Sequence, residues 1–164
     1  MTDSDLQLGE RTQALPRDLM AVYSLLQEAS AWLRAQGSTQ WNPAYPLERF
    51  AQEVADGHVW YWKSGTAPLA TVTLLPRRPD YYPAGVWDDD VPAWHVCRFT
   101  VKRTLAGHRV GETLLRQLEL EAAGSGLQAL RLDVVVANPF LERYYLACGF
   151  KDCGTVEIRG ERSV

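Results

Sequence analysis

Residues 96–115 decide the fold, and they read VCRFTVKRTLAGHRVGETLL. The β-branched and apolar residues before Lys102 complete a predicted strand over 93–101. From Val110 the apolar residues recur every three or four positions, which predicts a helix. The segment between them contains Gly107 and predicts a turn. The stretch is therefore interpreted as a strand, a turn and a helix in succession.

The turn has the character of an anion-binding site. Gly107 and Gly111 permit a close backbone approach or a positive φ, and the first N–H groups of a helix attract an anion. Arg103, His108 and Arg109 add positive charge beside them. The pattern indicates phosphate binding, although two glycines that merely shape a tight turn are an equally good interpretation. The Gly-Lys-Ser/Thr ending of a P-loop and the three spaced glycines of a dinucleotide fingerprint are both absent.

A second strand and a second helix follow. Residues 129–136 are nearly all apolar, which predicts a central strand covered on both faces. Asn138 and Pro139 then begin a short helix as its N-cap and first residue, and Gly149 ends it. The succession of strand, helix and strand over 93–136 predicts two parallel strands joined by a right-handed crossover.

The remaining elements lie toward the two termini, and no repeat or linker divides the chain. We therefore expect one α/β domain over residues 1–164. The other predicted elements are an edge strand within 4–13, a helix that Pro16 opens and Gly37 ends, a helix over 47–56, a hairpin of strands 58–63 and 69–75 with three to five loop residues, a long loop over 76–92, and one or two strands within 150–159.

Composition excludes several kinds of partner. Lys and Arg number 17 and Asp and Glu 20, and the resulting net charge of −3 argues against a nucleic-acid-binding protein. No apolar stretch of about 18 residues is present, which argues against a membrane span. The three cysteines and three histidines show no metal-ligand spacing, and the odd number of cysteines argues against a disulfide framework. The polar N-terminus is unlike a signal peptide, so we expect a cytoplasmic protein without a metal.

Together with the turn, the segment NPFLERYYLACGF at 138–150 resembles the GNAT N-acetyltransferase superfamily. The matching positions are PheThrVal at 99–101, the turn at 106–111, Asn138, Tyr145 and Gly149–Phe150. The resemblance implies a mixed, centrally splayed β-sheet flanked by helices, in the order β-α-α-β-β-β-α-β-α-β-β. Two positions depart from the family pattern: Ala106 replaces its Gln or Arg, and Arg109 replaces its middle glycine.

The resemblance also implies a ligand, which is acetyl-CoA or another acyl-CoA acting as co-substrate. Backbone groups of Phe99 and Val101 would pair with the pantetheine arm like an added strand, and the N–H groups of 107–112 would hold the pyrophosphate. Asn138 would bind the pantetheine, cap its own helix, or do both. The residues expected to contact the co-substrate are Phe99, Thr100, Val101, Ala106, Gly107, His108, Arg109, Val110, Gly111, Glu112, Asn138 and Tyr145.

The implied reaction is direct attack of a primary amine on the thioester. A strand N–H near Phe99 would polarise the carbonyl. Tyr145 matches the family's general-acid tyrosine, and its phenol would protonate the departing thiolate. The alternative is that Tyr145 is a core residue on the helix stripe of Leu141, Tyr144 and Cys148. Tyr144 is the second candidate for the acid.

The general base is open at this stage. His95 shares a strand face with Phe99 and Val101 if residues alternate, and histidine titrates near neutral pH. An ordinary hydrogen-bonded structural histidine is the alternative interpretation. Asp133 and the run Asp88–Asp90 are further candidates, and that run also fits a solvated loop or an attractor of cationic acceptors.

Two other functions remain open. One is a non-catalytic acyl-CoA-binding sensor, and the other is an interaction domain without a cofactor, in which 106–111 is only a turn. The acceptor itself is not identified, and it ranges from a small amine or antibiotic to a peptide N-terminus or lysine side chain. The resemblance and an exposed edge strand make a homodimer a reasonable expectation.

Overall fold

A computed structural model describes residues 8–87, 90–158 and 161–163 of the chain. The element order is the predicted one. In chain order the elements are β1 (Thr12–Gln13), α1 (Leu19–Ala35), α2 (Leu47–Ala55), β2 (Val59–Ser64), β3 (Ala67–Leu75), β4 (Ala93–Val101), α3 (Val110–Gly124), β5 (Ala129–Arg131), α4 (Pro139–Ala147), β6 (Val156–Ile158) and β7 (Glu161–Ser163). Short 3-10 turns at Pro16–Asp18 and Arg103–Leu105 precede α1 and follow β4.

The strands form a mixed sheet, which confirms the predicted fold class. Five strands lie in the order β1-β2-β3-β4-β5, and β6 and β7 form a separate two-stranded sheet. β1 and β3 both pair antiparallel with β2, whereas β4 and β5 are parallel. The parallel pairing joins residues 93–95 to 129–131 and ends at His95 and Arg131.

Several strand boundaries differ from the predictions: β2 and β3 differ by one or two residues, and β7 lies beyond the predicted range 150–159. The strand predicted over 129–136 ends at Arg131, and Val135 instead makes an isolated bridge to Ser163. The prediction of a central strand covered on both faces is wrong, because β5 lies at the end of the five-stranded order, only Arg131 and Val134 of the run 129–136 are buried, and Val136 is exposed. The hairpin between β2 and β3 has a loop of two residues, Gly65 and Thr66, because Ser64 and Ala67 still pair. Gly65 supplies the positive φ of 57° that so tight a turn needs.

The helices begin and end much as predicted. Gly37, with φ of 78°, follows α1, and its N–H donates to the Arg34 carbonyl. Asn138 caps α4 by accepting a hydrogen bond from the Leu141 N–H at 3.2 Å. The predicted apolar stripe of α3 is buried throughout, and it comprises Val110, Leu114, Leu115, Leu118 and Ala122.

The chain divides into two compact units. The N-terminal unit comprises the described residues of Met1–Leu74 with Cys97–Gly111, and the C-terminal unit comprises those of Leu75–Val96 with Glu112–Val164. β4 and α3 therefore each contribute residues to both units. The core of the N-terminal unit contains Ala14, Val22, Tyr23, Leu26, Phe50, Val54, Val59 and Tyr61.

Candidate active site

The predicted phosphate turn lies in the N-terminal unit between two buried residues, Leu105 and Val110. All four residues from Ala106 to Arg109 are exposed. Gly107 has φ of 85°, and a Cβ placed on it would meet nothing within 4 Å. Arg109 has φ of 54°, so the position where the family pattern has glycine keeps a left-handed conformation despite its side chain.

The electrostatics of this turn favour an anion. α3 begins at Val110, and the first N–H groups of any α-helix lack intrahelical acceptors and carry partial positive charge. His108 and Arg109 lie on the exposed turn itself. The guanidinium of Arg103 lies 3.9 Å from the ring centroid of Trp32, so this predicted cation packs on an aromatic ring. Exposed glycine backbone, a helix N-terminus and cationic side chains suit a diphosphate group.

β4 contains a kink that the sequence pattern did not predict. Arg98 has φ of 51°, a left-handed value within an otherwise extended strand. His95, Val96 and Cys97 are all buried, whereas Arg98 and Phe99 are half-buried and Thr100 is buried again. The left-handed residue interrupts the strict alternation on which the predicted shared face of His95, Phe99 and Val101 depends, and that shared face stays a prediction.

The Arg98 side chain is held by a polar cluster within the N-terminal unit, which we call the Arg98 clamp: Arg98, Glu53, Thr73 and Tyr45. Arg98 Nη2 lies 2.6 Å from Glu53 Oε1, and the two side chains are only 11% and 15% exposed. Arg98 Nε donates to Thr73 Oγ1 at 3.3 Å, and Thr73 Oγ1 donates to Glu53 Oε2 at 3.2 Å. The Tyr45 hydroxyl donates to Glu53 Oε1 at 2.8 Å, and its ring centroid lies 4.5 Å from the guanidinium.

Within the clamp, the surroundings of Tyr45 affect its ionisation. Burial raises the pKa of Tyr45 to about 12, and the hydrogen bond to Glu53 adds to the rise, while Arg98 partly opposes it. Tyr45 therefore stays a hydrogen-bond donor at neutral pH. Sequence reasoning missed the clamp because Glu53 and Arg98 are 45 positions apart and neither lies in a motif.

Tyr145 lies on α4 in the C-terminal unit and lines a cavity of about 790 Å³. It is half-buried, and its ring packs edge-on against Phe150 with centroids 5.5 Å apart. Tyr144 is not among the residues lining the cavity. Burial raises the pKa of Tyr144, and its side chain hydrogen-bonds to Cys148. No residue of α4 is fully buried, which does not fit the alternative interpretation of Tyr145 as a core residue.

The base candidates His95 and Asp133 both lie beside Tyr82 in the C-terminal unit. The Tyr82 hydroxyl donates a hydrogen bond to Asp133 Oδ1, and Asp133 lines the cavity. The His95 ring centroid lies 6.3 Å from that of Tyr82 and 5.3 Å from that of Trp87. Asp88 and Asp89 of the third candidate run lie outside the described residues, and Asp90 is exposed.

His95 is unusual for a buried polar residue. It is 4% exposed, and neither ring nitrogen has a hydrogen-bond partner of good geometry within the described part of the chain, although a backbone group of Leu75 interacts with the ring. The interpretation of His95 as a structural histidine therefore stays open beside its predicted role as a base. Burial lowers the pKa of His95, Arg131 and Arg78 lower it further, and a backbone group of Leu75 partly opposes the shift. The imidazole is consequently neutral at neutral pH.

Comparison with known proteins identifies the family. The model of the acetyltransferase (GNAT) family matches residues 22–150, and the chain therefore belongs to this family of acyltransferases. No curated protein matches the sequence. Among the described residues, no helix is long and apolar enough to cross a membrane, and no group of three or more His, Cys, Asp or Glu side chains is arranged to hold a metal ion.

Solved structures share the fold over nearly the whole chain. A GNAT-family acetyltransferase from Streptococcus agalactiae 2603 is 20% identical with a TM-score of 0.80, covering 97% of this chain and 95% of that one. One from Listeria monocytogenes 4b F2365 is 21% identical with a TM-score of 0.74, covering 96% of each chain. The paia N-acetyltransferase from Thermoplasma acidophilum in complex with coenzyme A is 16% identical with a TM-score of 0.66, covering 94% and 95%.

Proposed function

We propose that the protein transfers an acetyl group from acetyl-CoA to a primary amine of an acceptor molecule. The observation that carries the proposal is the exposed turn before α3, in which Gly107 and Arg109 both adopt left-handed conformations. This turn lies where the GNAT pattern has its phosphate-binding glycines. The coenzyme A bound by the Thermoplasma acidophilum relative supports the same ligand here.

Backbone groups would hold most of the co-substrate. The N–H groups of residues 107–112 bind the pyrophosphate, with Ala106 opening the turn and the side chain of Arg109, next to His108, adding positive charge. Backbone groups of 99–101 pair with the pantetheine arm. The amide of Asn138 binds the same arm while its Oδ1 continues to cap α4.

The proton transfers are assigned to two side chains of the C-terminal unit. Bound acetyl-CoA supplies an activated thioester carbonyl, which the Phe99 N–H polarises. Tyr145 donates its phenolic proton to the sulfur that leaves. His95, which is neutral because burial lowers its pKa, accepts the proton of the attacking amine.

Two measurements test the proposal. Acetyl-CoA at 100 times its dissociation constant should stabilise the fold by about 2.7 kcal/mol in a thermal-shift titration. A screen of amine classes should then release free coenzyme A, measured with a chromogenic thiol reagent. The absence of any shift at millimolar acetyl-CoA would reject acetyl-CoA binding altogether. A shift without turnover on any amine would instead favour a non-catalytic acyl-CoA sensor.

A further inference from the structure

The kink at Arg98 requires an explanation from its surroundings. An arginine gains nothing from a left-handed backbone and persists there only when neighbouring contacts fix it. The Arg98 clamp supplies such contacts from α2, from β3 and from the segment before α2. Three anchors therefore hold a single residue of β4.

Glu53 is the centre of the clamp. Its Oε1 accepts hydrogen bonds from Arg98 and Tyr45, and its Oε2 accepts one from Thr73. With both oxygens already engaged in hydrogen bonds, the carboxylate is poorly placed to accept a proton from an amine. Its effect on chemistry must pass through Arg98.

We propose that Glu53 is a positioning residue: its ion pair with Arg98 holds the left-handed kink in β4 and thereby orients the N–H of Phe99, the next residue along the chain. This inference rests on the proposed function, which assigns that N–H to the thioester carbonyl. An oxyanion donor acts only when it is aimed before the reaction begins. The Arg98 clamp fixes the orientation of the Phe99 N–H without itself contacting the reacting groups.

A double-mutant cycle between Glu53→Gln and Arg98→Gly tests the proposal. Glycine adopts φ of 51° without help, so the kink no longer depends on the ion pair in the Arg98→Gly background. In the wild-type background, Glu53→Gln should lower kcat at least about tenfold and leave the KM for acetyl-CoA within about twofold. In the Arg98→Gly background, the same substitution should change kcat by less than about threefold. Glu48→Gln, an exposed position on the same helix, is the matched control.

The amide resonance of Phe99 in ¹⁵N-labelled protein gives a readout that does not depend on turnover. Glu53→Gln should move this resonance strongly in the wild-type background and weakly in the Arg98→Gly background. If either single variant does not fold because it leaves a buried charge unpaired, the double variant still decides, since it strands no charge: a kcat more than about tenfold below that of the wild type would overturn the positioning role.

The outcomes separate this inference from the proposed function. An unchanged kcat in Glu53→Gln, or an equal loss in both backgrounds, overturns the positioning role; the second result would show that Glu53 acts directly. A wild-type protein that turns over no amine overturns the proposed function, and the Phe99 resonance then decides whether Glu53 holds the kink.

Discussion

Arg109 adopts the same left-handed backbone conformation as Gly107, two positions earlier, with φ of 54° and 85°. For glycine this conformation is free of strain, whereas for a residue with a Cβ it costs about 1–2 kcal/mol. The turn therefore has a left-handed backbone at two positions, and one of them carries a guanidinium group.

Substitution of Arg109 should separate the backbone from the charge. Arg109→Gly relieves the left-handed strain and Arg109→Ala retains it, so the glycine variant should be the more stable of the two by about 1 kcal/mol in urea denaturation. Both variants lose the guanidinium and should lose similar affinity for acetyl-CoA. Equal stability of the two variants would show that the turn does not require a left-handed residue at this position.

Gly111 lies in the first turn of α3, and Gly111→Glu should have opposite effects on the free protein and on its complex. A carboxylate near a helix N-terminus stabilises the helix by about 0.3–1 kcal/mol, so the free protein should not be destabilised by the charge. The same carboxylate should weaken acetyl-CoA binding by about tenfold or more through repulsion of the diphosphate. Gly111→Gln is the uncharged control in isothermal titration, and equal affinities of wild type and Gly111→Glu would refute the phosphate turn.

Tyr145→Phe should lower kcat about 100-fold while the affinity for acetyl-CoA stays within about twofold, because only the proton donor is lost. Single-turnover rates compared with equilibrium binding provide the measurement. The adjacent Tyr144→Phe is the control: it removes a hydrogen bond to Cys148 and should affect stability more than kcat. If Tyr144→Phe shows the larger loss of kcat, the assignment of the acid moves to that residue.

The buried His95 should make the stability of the fold depend on pH. Its pKa in the folded protein is lowered from 6.5, so below pH 6.5 the unfolded chain binds the proton more readily than the folded one. The contribution of His95 is therefore fully present above pH 6.5 and is lost as the pH falls toward the lowered value. Melting temperatures measured between pH 8 and pH 5 should decline less in His95→Gln than in the wild type. Parallel declines in the two proteins would contradict this assignment.

Asn138 combines a structural contact with a proposed binding role, and substitutions should separate them. Asn138→Ala removes the cap on α4 and should cost about 1 kcal/mol of stability. Asn138→Ser retains a capping oxygen and should nearly restore stability, yet it should bind acetyl-CoA more weakly because the amide is gone. A serine variant with wild-type affinity would leave Asn138 a capping residue only.

Local patterns predicted the elements but not the contacts between them. The bounds of β4 and the cap at Asn138 follow from residue types within a few positions, which is the range over which strand and helix signals act. The end of β5 at Arg131 depends on how far the neighbouring strand β4 pairs with it. An apolar run in the sequence does not indicate which strand it pairs with or over what length.

The candidate site shows the same division. The sequence predicted that Gly107 and Arg109 lie on a turn and that Tyr145 lies on a helix, and their roles in the site stay predictions. The left-handed conformation of Arg98 could not be predicted, because a positive φ is expected mainly at glycine and not at arginine. The contacts of Glu53 could not be predicted for a related reason. They are made with side chains that the tertiary fold brings to it from distant parts of the sequence.

The burial of the Arg98–Glu53 pair limits how this part of the chain can change over generations. Loss of either member alone strands a charge in the protein interior, so single-step replacements at these two positions are disfavoured. A homologue that lacks the ion pair should therefore have lost both charges, with glycine at position 98 and an uncharged residue at position 53. Positions 53 and 98 should accordingly covary among homologues.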